Sequence, residues 1–453
     1  METDMDAHPE KETRTSAARP APGAEAPGRW SRERAWAWYD AQPWIRGCNY
    51  MPASCANRVD QWQALGAEER FAEMDRELAV AESIGFNALR LLVELQGFGV
   101  WLEDPDGFRE RFERALAVAA KHGMRAIVVL GNDCMRPKSV WKLPKPGPQP
   151  WDLGYHGGRK LSQHGSFPGE IGFSQVDDPV LKPKFFALCE ELLRTYRADP
   201  RVLFWNLWNE PGNSGRGTAS VAPMRELFAL ARSIGPEQPL AADLWSLDYG
   251  CDPASPNQAQ VLAGELSDIV SYHCYQTYEN QVRTIARLRR HYGRPMVNTE
   301  WLARIRGNDI FSAYPLYYLE RIGCTCWGFV AGKYQTYEPW ESMWRDLEAD
   351  TPESRTWDMT KWFHDLYRPS LRPYDPKETD LIRRFNALAD EDFARDVGAA
   401  ARERARSTGK RTPQETRRAS AARRTASVAE CGHSAHSPRP ARTARAAAAS
   451  SYS

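Results

Sequence analysis

Eight short apolar runs, separated by stretches with helical periodicity, constrain this chain more than any other feature. They are residues 44–51 ("WIRGCNYM"), 86–93 ("FNALRLLV"), 125–133 ("RAIVVLGND"), 202–210 ("VLFWNLWNE"), 239–246 ("PLAADLWS"), 268–275 ("DIVSYHCY"), 295–301 ("PMVNTEW") and 324–330 ("CTCWGFV"). Runs of this length, apolar without strict alternation, suit strands covered on both faces. Between them lie amphipathic segments at 68–85, 108–123, 184–197, 221–235, 281–293 and 311–323. Several of these close on a glycine (Gly85, Gly123, Gly235, Gly293, Gly323), a residue that accepts the left-handed turn after a helix. Alternation of strand and helix over about 340 residues predicts a (β/α)8 TIM barrel. A doubly wound open sheet is the alternative. It calls for a glycine-rich phosphate loop after the first strand, and "RGCNYMPAS" holds none.

The ends differ from this body. Residues 1–28 are rich in Pro, Ala and Glu and predict a disordered segment. Residues 29–392 form the expected domain, and 393–453 a basic, disordered tail without a sustained apolar period. The longest insertion, from 133 to about 180 after the third run, carries Trp141, Trp151, Tyr155 and His156, which predicts a lid or wall over a pocket. The stretch "GKYQTYEPWESMW" after the eighth run offers Lys333, Tyr334, Gln335, Trp340 and Trp344 to narrow a cleft into a pocket.

A net charge of +1 argues against a general nucleic-acid binder. No 18-residue apolar run suggests a membrane span, and the polar N-terminal segment lacks the apolar core of a signal peptide, so a cytoplasmic protein is expected. Nine cysteines form neither a C-x-x-C motif nor a metal-ligand spacing. They predict reduced thiols, and no metal or cofactor is expected.

In a (β/α)8 barrel the functional side chains gather where strands end. The polar residues closing the runs are Asn49 and Tyr50, Arg90, Asn132 and Asp133, Asn209 and Glu210, Asp243 and Trp245, His273 and Tyr275, Glu300, and Trp327. Barrel closure would bring Glu210 and Glu300 to one rim. Two carboxyl groups about 5–5.5 Å apart are what displacement with retention at an anomeric carbon needs. Packing readings stand beside these. "NEPG" also suits a plain turn, Arg90 a rim ion pair, and His273, Tyr275, Trp245 and Trp327 the core. Asp133, Cys134 and Asp243 read as structural or supporting.

"NEP" closing the fourth run, "TEW" closing the seventh, "SYHCY" in the sixth and Trp327 in the eighth resemble clan A glycoside hydrolases. The pattern is most similar to glycoside hydrolase family 5, the cellulase-like enzymes, including bacterial β-1,4-xylanase-like proteins, over roughly residues 44–385. The resemblance implies a retaining hydrolase of a β-linked glycoside or short oligosaccharide, with a carbohydrate as its partner. Glu210 would be the general acid/base with a raised pKa. Glu300 would be the nucleophile, kept ionised by Arg90 and Tyr275. Asn209 would donate to the sugar 2-hydroxyl, His273 would bind a hydroxyl or tune the acid, Trp327 would floor the subsite, and Arg90 and Tyr275 are also expected among the substrate-binding residues. The resemblance leaves a transglycosidase and an inactive carbohydrate-binding barrel open, along with the oligomeric state. One departure stands out: the family commonly has a histidine near the end of strand three, where this chain has "GNDC".

Overall fold

The computed structural model of the chain describes residues 26–151, 156–157, 169–251 and 257–407, with backbone alone for 399–407. The chain divides into two units, 1–390 and 391–453. In the first, eight strands close into one barrel with every neighbouring pair parallel: β1 (Arg46–Asn49), β2 (Ala88–Leu92), β3 (Arg125–Asn132), β4 (Val202–Asn209), β5 (Leu240–Leu244), β6 (Val270–His273), β7 (Met296–Glu300) and β8 (Gly323–Cys326). Seven of the eight apolar runs contain their strand, and β8 begins one residue before its run. The open-sheet alternative falls, because β1 pairs with both β2 and β8.

Helices occupy the six expected segments, at Ala67–Ser83, Pro105–Lys121, Leu181–Thr195, Val221–Ile234, Tyr278–Tyr292 and Ile310–Leu319. Gly235 and Gly293 take left-handed caps, with φ of 67° and 62°. Gly323 does not. It opens β8, where a Cβ would lie 3.1 Å from Ile45 and 3.2 Å from Val297, and Arg321 makes the left-handed turn instead, with φ of 53°. Short helices at Arg32–Asp40, Arg58–Trp62, Glu94–Glu103, Gln258–Leu266 and Glu341–Glu348 were not legible as periodic segments.

The barrel interior is layered. Side chains two apart on a strand share a face. Ile45, Ala88, Ile127, Phe204, Ala241, Ile269 and Val297 form an apolar layer, closed from below by Ala35 and Tyr39 of the helix Arg32–Asp40. Two residues further along their strands come Arg90, Val129, Asn206, Asp243, Ser271 and Thr299, a layer that is polar except for Val129. Outside the barrel, Leu89, Leu91, Val128, Leu130, Trp205 and Leu207 belong to the main core with helix residues such as Leu78, Phe112, Leu116, Leu188 and Leu192. Each buried side chain of that size contributes about 1.5–3 kcal/mol relative to exposure.

The last helix, Pro376–Ser407, continues past residue 393, where a disordered tail was expected to begin. The run "AAARERARS" is rich in strong helix formers and has no proline, so helical backbone propagates through it. The rest of that tail, nearly all of the N-terminal segment, and Tyr155 of the insertion lie outside the described residues. Every cysteine among the described residues is free. No helix among them is long and apolar enough to cross a membrane.

Candidate active site

Arg90 organises the polar layer. Fully buried at the middle of β2, its guanidinium reaches residues from four other strands. Nη1 donates to Asn49 Oδ1 at 2.8 Å and to Glu300 Oε1 at 2.6 Å. Nη2 donates to Asn209 Oδ1 at 2.6 Å and to Asp243 Oδ2 at 2.8 Å. Arg90 does not reach the cavity, so the expected contact with substrate gives way to a positioning role. A planar fork of fixed geometry suits this task better than a flexible ammonium.

Asp243 supports the arginine from beneath. Its Oδ1 accepts from Asn206 at 2.6 Å, Ser271 at 2.5 Å and Thr299 at 3.1 Å. Burial alone would raise its pKa, but the charges of Arg90 and His273 outweigh that and hold it well below the usual carboxylate range.

Glu210 directly follows β4 with a φ of 46°, the left-handed region that a non-glycine residue enters at a cost of order 1–3 kcal/mol. Asp133 secures the following turn, accepting from the Gly212 amide at 2.6 Å and from Arg216 Nε at 2.8 Å, with Ser220 also bonded to it. The turn reading of "NEPG" is therefore right for the backbone. Held this way, Glu210 Oε1 meets His273 Nδ1 at 2.6 Å, and Oε2 accepts from the Cys134 thiol at 3.0 Å and from Asn213 Nδ2.

Glu300 ends β7. Besides Arg90, it accepts from the Tyr275 hydroxyl at 2.8 Å, and His273 Nδ1 lies 3.5 Å from its Oε2. One oxygen of Glu210, one of Glu300 and a ring nitrogen of His273 all lie within 4.8 Å of one another. His273 Nε2 faces Asp243 Oδ2 at 3.4 Å. Burial lowers the pKa of this imidazole, yet the surrounding charges of Glu300 and Asp243, with bonds to Asp243 and Glu210, push it up to about 10. The surrounding carboxylates thus favour the imidazolium form of His273.

The pKa shifts of the two glutamates run opposite to the sequence-based expectation. Burial favours a neutral Glu210, but the His273 imidazolium and the donors Cys134 and Asn213 hold its pKa below the ordinary value. Burial raises Glu300, and the Glu210 charge adds to it beyond what His273, Arg90 and Tyr275 offset. The proton available to Glu210 sits on His273, across a 2.6 Å hydrogen bond.

A cavity of about 1020 Å³ opens above this layer, lined among others by Asn209, Glu210, His273, Tyr275, Glu300 and Trp327. Every expected site residue except Arg90 lines it. Asn209 is held on both sides, by Arg90 and by its own Nδ2 donating to Asn132 Oδ1 at 2.9 Å. Of the aromatic residues expected to narrow the cleft, Trp340 and His156 line the cavity, and Trp340 packs edge-on against Tyr275 at 5.1 Å. Lys333 and Trp344 do not line it. The sequence reading passed over Arg58 and Asn213. Asn213 follows Glu210 by one turn, which was a usable signal; Arg58 carried none.

Glu210, His273 and Glu300 form the group with cation-ligand spacing among the described residues. An imidazolium with its Nδ1 engaged by Glu210, and the Arg90 charge beside Glu300, make this set a host for protons more than for a cation.

The site thus defines a parallel (β/α)8 barrel with two carboxyls, one buried and one half-buried, beside a shared histidine at the C-terminal ends of its strands. No family model matches the chain, and no curated protein does. Solved structures do. The endo-β-1,4-mannanase from Thermotoga petrophila is 18% identical over 78% of this chain and 78% of its own, with a TM-score of 0.46. The exo-β-1,4-mannosidase Op5Man5 from Opitutaceae bacterium strain TAV5 is 14% identical over 77% and 60%, with a TM-score of 0.48. A glycoside hydrolase family 5 mannosidase from Rhizomucor miehei is 14% identical over 78% and 94%, with a TM-score of 0.44.

Proposed function

We propose that the chain is a retaining glycoside hydrolase acting on a β-linked glycoside or short oligosaccharide, with Glu300 as nucleophile and Glu210 as acid/base. The observation that carries this reading is the spacing of the two carboxyls, with one oxygen of each within 4.8 Å of the other. Inversion needs about 6.5–9.5 Å, to admit a water between carboxyl and sugar, and retention about 5–5.5 Å.

In the first step Glu300 attacks the anomeric carbon while the bond to the leaving oxygen breaks. That oxygen takes a proton from Glu210, which is charged in turn from His273 Nδ1. Arg90 and Tyr275 keep both Glu300 oxygens engaged, so the carboxylate is aimed without reorganisation. In the second step water gives a proton to Glu210 as its oxygen displaces Glu300, and Glu210 returns that proton to His273 Nδ1, which restores the starting charges. Asn209 and Trp327 line the cavity, and in this reading Asn209 uses the Nδ2 hydrogen not given to Asn132 on the hydroxyl beside the anomeric carbon while Trp327 packs against the sugar.

The test is Glu300→Gly on a panel of nitrophenyl β-glycosides. Turnover by wild type should disappear in the variant, and azide should restore nitrophenol release with an α-glycosyl azide as product. Wild-type activity in the variant, or an inverted sugar as the first product of the native enzyme by proton NMR, would exclude the reading.

A further inference from the structure

The two halves of the barrel mouth are not alike. In the closed strand order, β1 and β2 lie between β8 and β3. The described part of the long loop after β3, His156 and Gly157, packs against the loop after β8. The His156 ring lies 4.2 Å from Tyr334 and 5.5 Å from Trp327. A Cβ on Gly157 would come within 2.2 Å of the Gln335 carbonyl oxygen, so the two backbones touch. The two loops meet on the side of the cavity lined by Arg58, of the loop after β1, and Leu92, at the end of β2, and among the described residues they roof that side.

Beneath that roof Arg58 makes a wall. Its Nη1 donates to the Tyr334 hydroxyl at 2.6 Å and stands 3.8 Å from Glu94 Oε1. Arg58, Leu92 and Trp327 line the main cavity and also a second one of about 30 Å³ behind them. They are the partition between the two. The rear space takes a water or two and no sugar ring.

Among the described residues the opposite half lies open. Trp245, Leu247 and Thr218, from the loops after β4 and β5, line the cavity there, and Leu247 is 68% exposed. If Glu210 protonates the leaving oxygen, the leaving group lies on this side, next to β4. The sugar whose anomeric carbon is attacked then lies toward Trp327 and the wall.

Resting on the glycosidase reading above, we infer that the site holds a single glycone sugar and removes residues one at a time from the non-reducing end, the Arg58–Tyr334–His156 wall excluding a second sugar on that side. The aglycone side accepts a longer chain.

Nitrophenyl β-monosides and the matching 1,4-linked nitrophenyl biosides separate the possibilities. Monosides should release nitrophenol at once. Biosides should release it only after a lag during which the terminal monosaccharide appears. Tyr334→Ala, which removes the hydrogen-bond partner of Arg58 and enlarges the rear space, should shorten that lag and yield some free disaccharide. Immediate nitrophenol and disaccharide from the wild type would overturn the single glycone site while leaving the hydrolase reading intact. If no glycoside is turned over, the hydrolase reading falls, and the wall is still tested by binding. Glu300→Gln should bind an unmodified nitrophenyl β-hexopyranoside at least tenfold more tightly than its 4,6-O-benzylidene derivative. Equal binding of the two would overturn the inference.

Discussion

Two layers of the same barrel, two residues apart on the same strands, follow opposite rules. The lower layer, with Ala88, Ile127, Phe204, Ala241 and Val297, is apolar and sealed by the helix Arg32–Asp40. Its contacts are non-directional, and a truncation there leaves a void but no orphaned charge. The upper layer, with Arg90, Asn206, Asp243, Ser271 and Thr299, is a hydrogen-bonded network centred on the Arg90–Asp243 pair. Removing one partner there leaves a buried charge uncompensated. The lower layer thus supplies stability, and the upper layer converts part of it into fixed geometry at the carboxyls.

The sharpest way to break this comparison is Arg90→Met. It strands Asp243 and Glu300 in a dry interior and should cost about 3–5 kcal/mol in denaturant unfolding. Glycosidase turnover should also fall below detection, because Glu300 and Asn209 lose their common anchor. Unchanged stability would show that the upper layer is not the network described. Phe204→Ala in the lower layer should cost a similar or smaller amount, about 3–5 kcal/mol from lost burial and the cavity left behind. Its kcat, measured well below the unfolding temperature, should stay within about twofold of wild type. A large fall in kcat in the folded variant would mean that the layers are coupled.

The smallest effect concerns pH. His273 titrates at about 10 in the folded chain and near 6.5 when unfolded. A raised pKa stabilises fully below the unfolded value, and that contribution is lost as pH rises from about 6.5 through about 10. Melting temperature should therefore decline across this window in the wild type and decline less in His273→Asn. Equal slopes would show that the imidazolium is not held by Glu300 and Asp243.

Much of this was legible beforehand, for identifiable reasons. Fully buried parallel strands need apolar residues on both faces, so β1 to β8 announced themselves in short runs. Residues that end such runs fall at the rim by geometry, which is why Asn209, Glu210, His273, Tyr275, Glu300 and Trp327 were found from position alone. Helices such as Glu94–Glu103 escaped because "ELQGFGVWLE" places two glycines among apolar residues without a clear period. Arg90 was found but read as touching substrate, since its burial depends on four other strands.

The sequence by itself determined the order of strands and helices, the apolar lower layer, and which side chains reach the C-terminal rim, because strand periodicity is local and reports directly on position. Only the tertiary structure decided which carboxyl holds its proton more tightly, that Cys134 and His273 share Glu210, and that one half of the mouth is roofed. These depend on distances of a few ångströms between residues far apart in the chain, such as Glu210 and His273 or Gly157 and Gln335. Electrostatic and steric terms vary steeply at that range, and no local pattern in the chain encodes them.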